Sequence, residues 1–231
     1  MEDPSIRSII FDLDDTLIQT SQLYNQSRKA FATVMLDYGF SGEAVLDKLD
    51  EIDIAHITSQ GFAKERYPKS LVKTYHYYIQ QAGQKVDPEI EKKISDIGWN
   101  VFNKIPPNVN DAEFVLEKLQ KRYQLILATL GDPEIQYQKL AGSGLRPYFS
   151  SVYVLGYKSP EEYRHIIQEQ NLDRKETWLI GNSVRSDLNP GLKLGLNCIL
   201  IPAETWKFEE EHPVSNQYIE VNALIKVLDY L

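Results

Sequence analysis

Short apolar runs recur along this chain, and each is followed by a turn and a helical pattern. The runs are Ser8–Phe11, Tyr123–Thr129, Val152–Leu155, Thr177–Ile180 and Asn197–Ile201. Helical patterns lie between them at Asp111–Arg122, Glu134–Gly142, Pro160–Gln170 and Leu188–Leu194. Apolar runs of this length bounded by turn signals suit strands buried on both faces. Alternation of such strands with helices predicts an α/β fold, a Rossmann-like parallel sheet with helices on both faces. Ligands of such sheets gather at the carboxyl ends of the strands.

One interval breaks the rhythm. More than about a hundred residues separate the first strand from the second, whereas a strand-helix-strand unit needs only about 30. The excess reads as four helices, at Ser21–Tyr38, Gly42–Ser59, Phe62–Ala82 and Pro88–Asn103, punctuated by Gly39, Gly61, Gly83 and Pro106-Pro107. The expected organisation is therefore a core made of residues 1–17 and 105–231, with a helical cap inserted at 18–104 over the carboxyl edge of the sheet.

The first strand runs directly into Asp12-Leu13-Asp14-Asp15-Thr16. Strand side chains alternate with period 2, so Asp12 and Asp14 are expected on one side. Two carboxylates held together repel unless a cation neutralises them or one keeps a proton. The first remedy suits a divalent metal site, the second a nucleophile beside a general acid/base.

Other polar groups follow the later strands. Thr129 ends the second, and its hydroxyl with the N–H of Leu130 suits an oxyanion. Lys158 follows the third and carries a charge suited to a phosphoryl group or a carboxylate. Gly181–Asp187 follows the fourth and offers an acid, Asp187, and a neutral oxygen ligand, Asn182. Hard oxygen ligands suit Mg²⁺. A cation, a lysine and a hydroxyl around a carboxylate suit phosphoryl transfer, where catalysis is mostly positioning and charge neutralisation.

These motifs resemble, in order and spacing, those of the haloacid dehalogenase-like (HAD) hydrolases. Asp12–Leu17 matches the first motif, Thr129 the second, Lys158 the third and Gly181–Asp187 the fourth. The resemblance implies a Mg²⁺-dependent phosphatase acting on a small phosphorylated metabolite. Asp12 would be the nucleophile, forming an aspartyl-phosphate, and Asp14 the general acid and base. Thr129, Leu130 and Lys158 would bind the phosphoryl oxygens. Asp12, the carbonyl of Asp14, and Asp187 would hold the metal, with Asn182 a further ligand or a turn residue.

The family's dehalogenases generally lack the second aspartate of the first motif, so Asp14 points to phosphatase chemistry. A phosphomutase, a dehalogenase, and a binding or regulatory protein with weak turnover are the alternatives. Two positions depart from the pattern: Leu130 stands where many members have Asn, and Asn182 where many have Asp. The first change keeps the backbone N–H; the second removes a carboxylate from the metal shell.

Composition narrows the partners. The net charge is −8, from 25 basic against 33 acidic residues, and no basic stripe is present. Nucleic acid and anionic membranes are therefore disfavoured. The single cysteine, Cys198, lies in an apolar run and reads as a core residue. The acidic start, MEDPSIRSII, does not read as a signal peptide, and a cytoplasmic location is expected. Nothing in the sequence assigns an oligomeric state.

Other residues receive local expectations. Asp15 should point away from Asp12 and Asp14, and Arg185 should face solvent. Phe62–Lys69 is the expected substrate-contact segment of the cap. Tyr75, Tyr77 and Tyr78 should pack within the cap, and Trp99, Trp178 and Trp206 should be packing residues. His56, His76, His165 and His212 are given no chemistry.

Overall fold

The computed structural model describes residues 7–204 and 206–231. The acidic residues 1–6, and Thr205 of the Thr205-Trp206 pair after the last predicted strand, lie outside them. Strand β1 (Ser8–Phe11) precedes four helices, α1 (Ser21–Asp37), α2 (Gly42–Gln60), α3 (Arg66–Gln81) and α4 (Pro88–Trp99). The chain continues through α5 (Ala112–Leu119), β2 (Gln124–Leu130), α6 (Pro133–Gly142), β3 (Ser151–Leu155), α7 (Pro160–Glu169) and β4 (Thr177–Gly181). It ends with α8 (Asn189–Leu194), β5 (Asn197–Leu200) and a two-residue strand β6 (Ile219–Glu220).

The strands form one parallel sheet in the order β3-β2-β1-β4-β5-β6. β1 is therefore interior, with Ser8 registered against Gln124 on one side and Thr177 on the other. All four of its residues are buried. Alternation divides the apolar residues between two cores. Ile9, Phe11, Leu125, Leu127, Ile180 and Ile199 pack with Val115, Leu116 and Leu119 of α5 and with Leu224 and Val227. Ile10, Ile126, Ala128, Leu179, Cys198 and Leu200 pack with Tyr163, Ile166 and Ile167 of α7 and Leu194 of α8. Burial pushes the Cys198 thiol up to about 12, in keeping with a core residue.

The chain divides into two compact units. One runs to Thr20 and resumes at Pro106; the other is Ser21–Ile105. Compared with the boundaries read from sequence, Ile18 to Thr20 stay with the sheet. The reason is a short crossing of two backbone segments. Ile18 bridges to Asn108, Gln19 N–H donates to the Pro107 carbonyl at 2.8 Å, and Val109 N–H donates to the Leu17 carbonyl at 2.8 Å.

The helical unit has its own core, built from Phe31, Met35, Leu49, Tyr67, Leu71, Tyr75, Ile79 and Ile94 among others. Tyr75 is fully buried and meets Tyr38 edge-on, Tyr78 is half-buried, and Tyr77 is exposed. Arg66 does not face solvent as a contact for substrate. It opens α3, is buried, and pairs with Asp53, because a guanidinium on the inner face of a helix needs a carboxylate. Among the described residues no helix is long and apolar enough to cross a membrane.

Helices α3 and α4 pack tightly at Gly98, where an added Cβ would lie 2.6 Å from the Cα of Pro68. Gly98→Ala should therefore force these helices apart and destabilise the protein by about 1–3 kcal/mol, measured by urea unfolding.

Candidate active site

The strand order explains why four distant motifs meet. β3, β2, β1 and β4 are consecutive in the sheet, so their carboxyl ends form one continuous edge. Asp12 continues β1 by one residue, its N–H donating to the Ile180 carbonyl at 2.9 Å. Thr129 is the penultimate residue of β2, Lys158 lies just past β3, and Asn182 follows β4. Leu130 closes β2, beyond the last residue registered against β1, Leu127.

Lys158 is the central contact. Its ammonium donates to Asp12 Oδ1 at 2.5 Å and to Asp187 Oδ1 at 2.7 Å. All three side chains are buried, at 5% exposure for Asp12, 4% for Lys158 and 2% for Asp187. The next residue, Ser159, caps α7 by accepting from Glu162 N–H at 3.2 Å, which fixes the backbone that carries the lysine. Tyr163, on the same helix, donates to Asp187 Oδ1 at 3.1 Å. Ser183 N–H donates to Asp187 Oδ2 at 3.1 Å. Both oxygens of Asp187 thus already accept hydrogen bonds from the protein.

One lysine between two carboxylates leaves a negative charge uncompensated. Burial raises the Asp12 carboxyl to about 7, and the nearby Asp187 and Asp14 charges reinforce this against the pull of Lys158. For Lys158, burial opposes the charge, but Asp12 and Asp187 hold its pKa well above the ordinary lysine value.

Asp14 belongs to a different donor set. After β1 the chain turns sharply, with Asp15 in the left-handed region at φ 59° and its N–H donating to the Ile18 carbonyl at 2.7 Å. The Asp14 carboxylate accepts from Lys139 Nζ at 2.8 Å, from Gln136 Nε2 at 2.7 Å and from the Thr20 hydroxyl. Burial works to raise its pKa, but the Lys139 charge and these hydrogen bonds outweigh burial and hold it below the usual carboxylate range. Each aspartate of the first motif therefore has its own lysine.

Gln136 also donates to the Thr129 hydroxyl. A hydroxyl that accepts this bond keeps its own proton for another acceptor. Neither Gln136 nor Lys139 stands out in the motifs. The signal was on α6, whose buried face carries Ile135, Gln136, Lys139 and Leu140, two polar residues where apolar ones belong.

Thr16 links the first and fourth motifs. Its hydroxyl lies 2.9 Å from Asp12 Oδ2 and 3.4 Å from Asn182 Oδ1, so one side chain bridges these two oxygens. That pairing is an all-oxygen donor set with net negative surroundings, which fits a hard divalent cation. The Asp187 oxygens are engaged by Lys158, Tyr163 and Ser183. Gly181 permits that approach, since any Cβ there would collide with the Asp187 carboxylate.

Arg185 is half-buried and engaged, not a freely solvated side chain as its sequence context suggests. Its guanidinium donates to the Phe208 carbonyl at 2.7 Å and lies 4.2 Å from the centre of the Phe208 ring. A planar, weakly hydrated cation gains more from that ring and carbonyl than from water. The histidines lie outside these motif contacts, and His76, for example, pairs with Glu91 at 2.6 Å.

The chain belongs to the haloacid dehalogenase-like hydrolases, whose family model matches residues 9–201. It is 30% identical over 215 residues to the HAD-hydrolase YfnB of Bacillus subtilis, covering 83% of this chain and 82% of that one. It is 23% identical over 223 residues to a glyceraldehyde 3-phosphate phosphatase of Methanothermobacter thermautotrophicus, covering 91% and 92%. Among solved structures, a haloacid dehalogenase-like family hydrolase from Xanthomonas campestris superposes with a TM-score of 0.81 at 22% identity, covering 98% and 90%. A magnesium-bound structure of YfnB superposes with a TM-score of 0.67 at 17% identity, covering 97% and 98%.

Lys158→Met should destabilise the fold by about 3–5 kcal/mol near neutral pH, because it leaves two buried carboxylates unpaired. The folded state holds the Asp12 proton more tightly than the unfolded chain does. Stability associated with this group is therefore gained as pH falls from about 7 toward 3.8. The defect of Lys158→Met should accordingly shrink on acidification through that window, measured by urea unfolding at a series of pH values.

Proposed function

We propose that this protein is a Mg²⁺-dependent phosphatase that hydrolyses a small phosphorylated metabolite through an aspartyl-phosphate on Asp12. The observation that carries the reading is the pair of separately charged aspartates, Asp12 with Lys158 and Asp14 with Lys139, at one sheet edge. The kinship with a glyceraldehyde 3-phosphate phosphatase supports a small phosphate monoester as the substrate class. The lack of a basic stripe and the single cysteine are consistent with a metabolite substrate and a cytoplasmic setting.

In this reading a carboxylate oxygen of Asp12 attacks phosphorus, and the ester oxygen leaves. Lys158 orients Asp12 and neutralises a phosphoryl oxygen, while the Thr129 hydroxyl and the Leu130 N–H bind the others. Asp14 must first leave Lys139 and take up a proton from solvent, which it passes to the leaving oxygen. It then takes a proton from the water that attacks the aspartyl-phosphate, releasing inorganic phosphate and restoring Asp12. Asp12, the Asp14 carbonyl and Asn182 would hold Mg²⁺, with Asp187 contributing its charge. Bound there, the ion would offset charge on the phosphoryl oxygens. The amide at Asn182 lowers the charge of this set without removing its oxygen, so it tunes metal affinity rather than abolishing it.

The test is phosphate release from p-nitrophenyl phosphate as magnesium is varied. Wild-type turnover should rise with magnesium and fall at least about a thousandfold in Asp12→Asn. Asn182→Asp should reach half-maximal rate at a lower magnesium concentration. Turnover indifferent to magnesium, or to Asp12→Asn, would exclude this mechanism. Halide release from a haloacid without metal would instead identify the dehalogenase alternative.

A further inference from the structure

The loop that carries Asn182 and Asp187 has a second support, away from the sheet. It makes one turn of π-helix at Val184–Leu188, closed by Leu188 N–H donating to the Ser183 carbonyl at 3.0 Å. Single π-turns are rare and need support from their surroundings. Ser183 is the pivot of this one. Its N–H donates to Asp187 Oδ2 at 3.1 Å, and its carbonyl also accepts from Asp187 N–H at 3.1 Å. Its hydroxyl oxygen accepts from Ser186 N–H at 2.9 Å.

Having accepted that bond, the Ser183 hydroxyl directs its proton to Glu209. The Ser186 hydroxyl donates to the same carboxylate oxygen, Glu209 Oε2, at 2.7 Å. Both serines are buried, so each hydroxyl needs an acceptor, and one carboxylate serves both. The surrounding segment is tied down by the same stretch of chain. Arg185 holds Phe208, and Asn189 donates to Glu211 Oε1 at 2.6 Å and accepts from Val214 N–H at 2.9 Å.

We propose that Glu209 is a positioning residue for the phosphoryl-transfer site, setting the Asn182–Asp187 loop through the hydroxyls of Ser183 and Ser186. Its carboxylate accepts from these two serines and its N–H donates to the Trp206 carbonyl, so it acts on Asp12 and Lys158 through the loop. Its influence passes from Ser183 to Asp187, from Asp187 to Lys158, and from Lys158 to the nucleophile. The effect on turnover rests on the phosphatase reading; the effect on the loop does not.

Two measurements on the full chain separate these. Hydrogen exchange of a peptide spanning 181–190 should quicken at least about tenfold in Glu209→Ala, with the β1 and β2 peptides unchanged. With p-nitrophenyl phosphate and magnesium, kcat should fall about tenfold while KM stays within about twofold. Glu209→Gln should recover most of both effects, since its amide oxygen still accepts from the serines. The exposed neighbour variant Glu210→Ala should resemble wild type. Unchanged loop exchange in Glu209→Ala, or equal quickening across the sheet, would overturn the proposal. So would altered exchange with unaltered kcat. If the wild-type protein releases no phosphate, the phosphatase reading fails, and the exchange result alone decides whether Glu209 holds the loop.

Discussion

Lys158 holds the carboxyl edge of this sheet together because it is buried between two carboxylates from different parts of the chain. Removing three charged groups from water is unfavourable unless each finds a partner, and here the partners are 2.5 and 2.7 Å away. The arrangement is also unbalanced, with one positive charge facing two negative ones. Asp12 responds with a raised proton affinity, so the site favours the arrival of another positive group. This imbalance, more than the presence of any one acid, is what suits the edge to a cation.

The second lysine sharpens the division of labour. Lys139 and Gln136 come from α6, immediately after the strand that delivers Thr129. They draw Asp14 into a set of donors separate from those of Asp12. Two acids that share a short motif thereby acquire opposite tendencies, one raised and one lowered in proton affinity. The proposed roles run against both tendencies: Asp12 must lose its proton to act as a nucleophile, which an arriving cation would favour, and Asp14 must gain one to act as an acid.

The sheet and its edge were legible in the sequence because backbone geometry does the placing. Asp12, Thr129, Lys158 and Asn182 each stand at or just beyond an apolar run, and a parallel sheet brings such ends together. Gln136, Lys139, Tyr163 and Glu209 were not legible in this way. They reach the site by side chains from helices or from a segment without periodicity, and their direction depends on packing. Arg66, expected in a substrate-contact segment, and Arg185, expected to face solvent, differ for a related reason: the buried carboxylate beside one and the aromatic ring beside the other come from distant parts of the chain. The strand Ile219–Glu220 is too short to display alternation at all.

The interior position of β1 has a consequence for how the molecule is made. Ser8 is registered against Gln124 and Thr177, so both neighbours of this strand are synthesised after the entire helical unit. During translation the strand that leads into Asp12 emerges before both of its partners and must wait for them. The helical unit is continuous in sequence and rich in local contacts, the kind that form quickly. An apolar strand held open over that interval is a target for chaperones and for pairing with the wrong chain. The short span of β1, four residues followed by an aspartate, limits that exposure while still anchoring Asp12 to the sheet.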